Sequence, residues 1–454
     1  MHDGGESSRE PSRRSFALWS ALSVCSLAGV GGCTGGGDAD EKAPRAHRCP
    51  SWPVFGPSSK TPVWPVPFSG LRESLVLKGT WLFGTGTDRV VWLRDARSGR
   101  LVWRTPLGKG GKPNEFGQPH YPQLVVARGQ VLFGGGNGDA TGEVVALCAA
   151  DGKRMWRRSI PGRQVLEIAR SGDVVASATH EHVYGLSAGT GKTLWRTEVD
   201  QARWITPRGD TFVLAHEGGG EFGAAGLDRG SGKVLWSESI QGTNLVEIRS
   251  DGERVHIIGS RAVAEPQDDG TTVFMPARGE VRTVSLTRHR VQWRRTLPPI
   301  GATTPTLGKG LLYLPSGDRL LALHGDSGRT AWSFPLPEPG LNPEMLLHDG
   351  LLIVNLPAPD HGEYPVVGLD PETGEERWRL RTELTAGLMP GPAGLVLINT
   401  SGTKATAVDT ANGMSIWSAP TKGAVQVVGN GLVYAHDGKR ITPYDVETGD
   451  VFSS

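Results

Sequence analysis

The sequence predicts an all-β propeller, a ring of four-stranded antiparallel blades, on three observations. A tryptophan stands four positions after a turn in the pairs Gly99/Trp103, Gly152/Trp156, Gly191/Trp195, Gly232/Trp236, Gly328/Trp332, Gly374/Trp378 and Gly413/Trp417, with His289/Trp293 as the deviant member. Successive tryptophans are 53, 39, 41, 57, 39, 46 and 39 residues apart, the period of a supersecondary unit and too long for a helical or coiled-coil repeat. Gly 64 and Pro 32 in 454 residues suit short strands joined by many tight turns. A chain of this length would otherwise split into several domains, because a single core stops growing near ~250–300 residues. A repeat array escapes that limit, since each unit buries surface only against its neighbours.

From the N-terminus, residues 1–32 read as a targeting segment. Ser12-Arg13-Arg14-Ser15-Phe16-Ala17-Leu18 resembles a twin-arginine export motif, and the apolar run from Phe16 to Gly32 is shorter than the ~20 residues of a spanning helix. It ends in Val30-Gly31-Gly32-Cys33, which looks like a bacterial lipoprotein signal and implies cleavage before Cys33 and a lipid on that thiol. Ordinary signal-peptide cleavage nearby, or an uncleaved anchor, is the alternative. Residues 33–58 are then a flexible polar tether and 59–454 the propeller, held outside the cytosol on the outer face of the cell membrane. Disulfides persist there. With Cys25 in the signal and Cys33 assigned to lipid, Cys49 and Cys148 either pair, pinning the N-terminal segment to the second repeat, or both stay free. No Cys-x-x-Cys occurs, so thiol redox chemistry, a four-cysteine zinc site and covalent haem lack support. The 48 basic and 47 acidic residues balance, which predicts no electrostatic footprint for nucleic acid.

Within one repeat the chain reads strand, tight turn, strand, as in Gly226-Leu227-Asp228-Arg229-Gly230-Ser231-Gly232-Lys233-Val234-Leu235-Trp236 and Gly368-Leu369-Asp370-Pro371-Glu372-Thr373-Gly374-Glu375-Glu376-Arg377-Trp378. The aspartate before the turn accepts backbone N–H groups and the glycine supplies the positive φ that closes it. Two further short strands precede each hairpin, such as Gly310-Leu311-Leu312-Tyr313-Leu314 and Gly350-Leu351-Leu352-Ile353-Val354. Four strands in ~40 residues make one blade. Trp103, Trp156, Trp195, Trp236, Trp293, Trp332, Trp378 and Trp417 then project from outer strands and wedge between blades, a structural role for all eight.

The Leu-Asp-x-x-x-Gly-x-x-x-Trp pattern resembles the tryptophan-docking motif of the PQQ-like, quinoprotein-type β-propeller superfamily, from about residue 60 to the end. That resemblance implies eight blades. Asp445-Val446-Glu447-Thr448-Gly449 nevertheless begins a ninth unit, with Ser453 at the tryptophan position, and Pro62-Val63-Trp64-Pro65-Val66 looks like its missing outer strand. The expectation is eight blades closed by pairing of N- and C-terminal strands, with nine as the alternative.

Candidate chemistry falls on the face opposite the short glycine turns, where the connections 108–122, 134–142, 216–223, 265–280 and 356–365 are long. The candidate binding residues are Asn114, Glu115, His120, Tyr121, Asp139, Glu221, Asp268, Asp269, Asp360, His361 and Tyr364. No local spacing among them matches a calcium loop, and His180-x-His182 supplies only half of a zinc site and reads as a surface pair. The family includes dehydrogenases that hold PQQ with calcium, many with adjacent cysteines over the quinone. This chain has no adjacent cysteines, and no residues that match those enzymes' calcium ligands and catalytic aspartate. Other members are non-enzymatic, BamB-like lipoprotein scaffolds and the sensor domains of bacterial kinases. The sequence therefore points to a monomeric, membrane-anchored, non-catalytic scaffold or sensor for a protein or cell-envelope ligand, with no cofactor or metal. A PQQ-dependent dehydrogenase or a carbohydrate-binding propeller is the alternative.

Overall fold

The computed structural model describes Cys49 and residues 66–67, 75–85, 89–108, 123–136, 141–161, 165–218, 221–241, 243–266, 272–300, 304–337, 343–356, 364–382, 386–392, 394–400, 404–437 and 439–452. Their strands form nine four-stranded antiparallel sheets. Blades 1 to 8 span Leu75–Pro106, Gln123–Pro161, Glu167–Glu198, Ala202–Gln241, Thr243–Leu297, Thr306–Pro335, Glu344–Thr382 and Ala386–Pro420, each with its strands side by side in chain order. First strands of most neighbouring blades pack on one another, that of blade 1 against that of blade 9, so they line the axis and the tryptophan-bearing fourth strands form the rim.

The ring has nine blades, the alternative reading, which corrects the eight that the resemblance implied. Ala424–Gly429, Leu432–His436 and Arg440–Asp445 build three strands of the ninth, and Val66–Pro67 adds the outer one through the pairs Val66↔Ile441 and Pro67↔Arg440. Residues 62–65 lie outside the described residues. What makes the unit a full blade is its interfaces: Trp417 donates to the Val446 carbonyl at 2.9 Å, and Tyr434 donates through its hydroxyl to the Ala96 carbonyl of blade 1 at 2.7 Å.

The repeating turn explains how the blades join. In blade 4 the Gly232 N–H donates to the Asp228 carbonyl at 2.8 Å, while the Asp228 carboxylate accepts the Ser231 N–H at 2.8 Å and its hydroxyl at 2.6 Å. Gly232 sits at φ 71°, where only glycine is unstrained, and a Cβ there would lie 2.4 Å from the indole of Trp195. That indole belongs to the preceding blade. Its N–H donates to the Arg229 carbonyl, inside the turn, at 2.9 Å. The glycine and tryptophan four residues apart in sequence therefore serve different interfaces, each tryptophan reading the next blade's turn. Trp103, Trp156, Trp293, Trp332 and Trp378 make the equivalent bonds to the carbonyls of Ala149, Ala188, Gly325, Pro371 and Thr410 at 2.8–3.0 Å. Indoles of this kind cover the apolar clusters between blades, such as that of Trp195 with Phe212, Leu214 and Leu227.

Blade 5 departs from the pattern twice. His289 holds the glycine position at φ 53°, and the Trp236 indole N–H that should read its turn has no acceptor among the described residues. Its second and third strands, Arg254–Pro266 and Thr272–Ser285, also run far beyond the sheet. The first strand pairs only as far as Arg261 and the fourth only as far as Gly279, leaving a two-stranded arm that ends at Pro266↔Thr272.

Candidate functional site

The two faces of the ring are built differently. On one lie the hairpin turns between first and second strands, two residues long, as at Arg128-Gly129, Lys309-Gly310 and Asp349-Gly350, where both residues take positive φ. The docking turns share this side. Cys148 occupies the aspartate position of the blade 2 turn and is disulfide-bonded to Cys49, with Cα atoms 5.3 Å apart, so the N-terminal stretch is tied to the short-turn face.

On the opposite face three of the five long connections prove to be largely strand. Residues 265–280, 216–223 and 134–142 pair as far as Pro266↔Thr272, Gly218↔Glu221 and Gly136↔Gly142, and in blade 5 the Val- and Phe-rich flanks favour strand. Of the predicted binding residues, Asn114, Glu115, His120, Tyr121, Asp139, Asp268, Asp269, Asp360 and His361 lie outside the described residues, as does Cys33. Glu221 and Tyr364 open third strands, opposite Gln241 and Thr382 of their fourth strands. Nearby, Arg203 donates through Nε to Glu217 at 2.9 Å.

Two arrangements escaped the sequence reading. Between blades 1 and 2, toward the long-connection side, the fully buried Glu143 carboxylate is clamped by Arg89 and by Arg157, the latter at 2.6 Å. Arg89 also donates to the Gly136 carbonyl and lies over the Phe133 ring, 5.4 Å from its centroid. Burial, and then the neighbouring Arg157, lower the Arg89 pKa below its ordinary value. Removing Glu143 would leave two guanidiniums, that of Arg89 buried, without their counter-charge, so the carboxylate ties blade 1 to blade 2.

The second is a cavity of about 490 Å³ on the axis, beside blades 3 to 6. Glu167, Trp204, Arg208, Glu247 and Arg249 line it. Arg249 holds Glu247 at 2.8 Å and donates to the Pro305 carbonyl at 2.7 Å. Burial raises the Glu247 pKa, with Arg249 opposing it. The signal was present in the sequence as charges set inside short apolar strands, in Glu167-Ile168-Ala169-Arg170 and Val246-Glu247-Ile248-Arg249.

A quinone with calcium, the cofactor set the fold suggests, does not fit these residues. Calcium needs 6–8 oxygen ligands, yet among the described residues no three His, Cys, Asp or Glu side chains converge, and Glu247 in the cavity is already held by Arg249. His180 and His182 have no third ligand among the described residues.

A ring of four-stranded blades joined by indoles seated on glycine turns defines a tryptophan-docked β-propeller. The family model described as outer membrane protein assembly factor BamB matches residues 87–333, 277–360 and 362–452, and the chain belongs to that family. No curated protein matches the chain by sequence. Among solved structures it is similar to BamB from Moraxella catarrhalis, at 19% identity over 71% of this chain and 95% of that one, with a TM-score of 0.48. It is also similar to the quinohemoprotein alcohol dehydrogenase ADHIIG from Pseudomonas putida HK5, at 14% identity over 84% and 71% of the two chains and a TM-score of 0.46. The quinohemoprotein alcohol dehydrogenase from Comamonas testosteroni gives 11% identity over 86% and 74%, with a TM-score of 0.47. Likeness at this level carries no argument about activity.

Proposed function

We propose that the chain is an exported, lipid-anchored, non-catalytic propeller that serves as a docking scaffold in the cell envelope, engaging a protein through its long-connection face. The observation that carries this reading is the asymmetry of the two faces. One is tiled with two-residue turns and tied to the N-terminal stretch through Cys49–Cys148; the other bears the connections that outgrow the blade and the two-stranded arm of blade 5. A chain anchored through a lipid on Cys33 enters the propeller at Cys49, on the short-turn side. The arm and the long connections are then left clear for a partner. Membership in the family described as an outer membrane assembly factor supports a protein partner over a small-molecule substrate.

The test is cross-linking from membranes of the source cell, with the full chain compared with variants lacking residues 114–121 or the arm residues 262–276. A discrete cross-linked partner should be captured by the full chain and lost from at least one deletion, while a Lys309→Ala change on the short-turn face leaves it intact. Capture that survives both deletions places the interface elsewhere. A thermal shift and dye reduction on addition of PQQ with calcium would replace the scaffold reading with an enzymatic one. Mass spectrometry of the mature chain should find a lipid at Cys33, and Cys33→Ser should release the protein from membranes.

A further inference from the structure

Charge on the strands around the axis is concentrated in one sector. Glu167 and Arg170 in blade 3, Arg203 and Arg208 in blade 4, and Glu247 and Arg249 in blade 5 place six charged residues on three consecutive first strands. The first strands of blades 1 and 7 carry one Asp, Glu, Lys or Arg each, Lys78 and Glu344, and those of blades 2, 6, 8 and 9 carry none. Partly burying a charge costs free energy unless something compensates it, so an axis serving only to close the ring has no use for this concentration. The cavity lies against the charged sector. Glu167 and Trp204 sit at the long-connection end of their strands and Arg208 at the short-turn end, so the lining runs along the axis.

The open chemistry of the lining is specific. Trp204 packs one part of its half-buried indole on the core of blades 4 and 5, and its N–H meets no acceptor among the described residues. Arg208 spends one terminal nitrogen on the Thr206 hydroxyl at 3.2 Å and the Pro207 carbonyl at 2.8 Å, leaving its other N–H groups without a protein acceptor among the described residues. Glu247 and Arg249 satisfy each other in part. The four charged groups sum to zero. Either an anionic or a cationic ligand would therefore leave a charge uncompensated in a site partly removed from water. What matches is a neutral molecule with an apolar face for the indole and many hydroxyls, each able to donate to a carboxylate and accept from a guanidinium.

We propose that this axial cavity binds a neutral saccharide, with Trp204 as the stacking platform, Glu167 and Glu247 as acceptors and Arg208 as the donor. Its size is within the ~300–1,000 Å³ of small-ligand sites. The proposal does not rest on the scaffold reading; loss of partner capture on deleting 114–121 or 262–276 and loss of saccharide binding on changing Trp204 or Arg208 are independent results.

Isothermal titration of the mature chain with cellotriose, maltotriose, mannotriose and chitotriose, and with trigalacturonate as the anionic control, tests the proposal. At least one neutral trisaccharide should bind with a dissociation constant of roughly millimolar or tighter. Trp204→Ala should weaken it by about tenfold or more. Because Trp204 also packs on the core, Arg208→Met is the second variant: it removes the donor without opening the core and should give a comparable loss at an unchanged melting temperature. Three outcomes overturn the proposal: no neutral trisaccharide binds, binding survives both substitutions, or trigalacturonate binds more tightly than every neutral probe.

Discussion

The interfaces on the two sides of blade 4 are made from the same strand grammar and differ in one turn residue. On one side Trp195 of blade 3 is 8% exposed and donates to the Arg229 carbonyl beside Gly232. On the other, Trp236 is 6% exposed against Ile248, Val255 and Leu286 of blade 5, but the turn it faces carries His289 and its N–H finds no acceptor among the described residues. Burial is the same in both and the hydrogen bond is present in only one. Docking thus has two separable parts: apolar area, which any large flat side chain against a blade supplies, and a polar registration, which requires the glycine that lets the indole reach the turn. Blade 5 keeps the first and lacks the second, in the same blade whose middle strands leave the sheet as an arm.

The largest effect should come from the area itself. Trp195→Ala is expected to cost about 3–5 kcal/mol, as for other buried aromatics, and it leaves the Arg229 carbonyl without its donor. Trp236→Ala removes similar area and no hydrogen bond, so its cost should be smaller by about 1 kcal/mol. Urea unfolding of the two variants measures the difference. Equal losses would mean that the hydrogen bond at Arg229 contributes nothing and that the two interfaces are energetically alike.

Much of this was legible in the sequence because the motif is local. Asp228, Gly232 and Trp236 act within one hairpin, and their spacing is fixed by the turn. The blade count was legible only in part: the ninth unit and a candidate outer strand at 62–66 could be read, but the resemblance favoured eight, and the ninth outer strand is assembled from both ends of the chain. Val451 bridges to Tyr444 and the Phe452 N–H donates to the Pro443 carbonyl, while Val66 and Pro67 cover Ile441 and Arg440 of the same strand. No local pattern fixes the register of a pairing across that separation, and Ser453 at the tryptophan position weakened the ninth unit's motif. The axial site was hidden for a different reason. Glu167, Arg208 and Glu247 each look like one solvated charge on a short strand, and only closure of the ring turns three such strands toward one cavity. In the opposite direction, Gly, Pro and Asp in 265–280 suggested a loop, whereas the register continues through Glu265↔Val273 and Pro266↔Thr272.

A second, smaller effect follows at the turn. His289 holds a left-handed backbone, which costs a non-glycine residue about 1–3 kcal/mol, offset by the greater backbone freedom that glycine loses on folding. His289→Gly should therefore stabilise the protein by about 1 kcal/mol or less. The reverse change, Gly232→Ala, combines the same strain with a Cβ placed 2.4 Å from the Trp195 ring and should destabilise clearly. Paired melting curves decide the matter; a destabilising His289→Gly would show that the imidazole makes a contribution greater than the strain it imposes.

The smallest effect is electrostatic and separates the same two kinds of turn. In blade 7 the Asp370 carboxyl is held down to about 2, first by the hydrogen bond from Arg377 at 2.8 Å and then by the N–H groups of Glu372 and Thr373. A carboxylate whose folded-state pKa lies below its unfolded value of ~3.9 stabilises the fold above that unfolded value and loses the contribution as pH falls through the folded one. The window therefore runs from about pH 4 down to about pH 2. The blade 5 turn has Ser285 at this position, accepting the Arg288 N–H at 3.2 Å, and a hydroxyl does not titrate there. Asp370→Asn should lower stability at neutral pH and flatten the acid limb of the urea midpoint. Ser285→Ala should lower the whole curve without changing its slope. Because Asp370 is partly exposed at the surface, solvent screening keeps the difference small, and the slope between the two pH values is the more sensitive readout. An acid limb unchanged by Asp370→Asn would leave the aspartate a geometric cap only, interchangeable with the serine of blade 5.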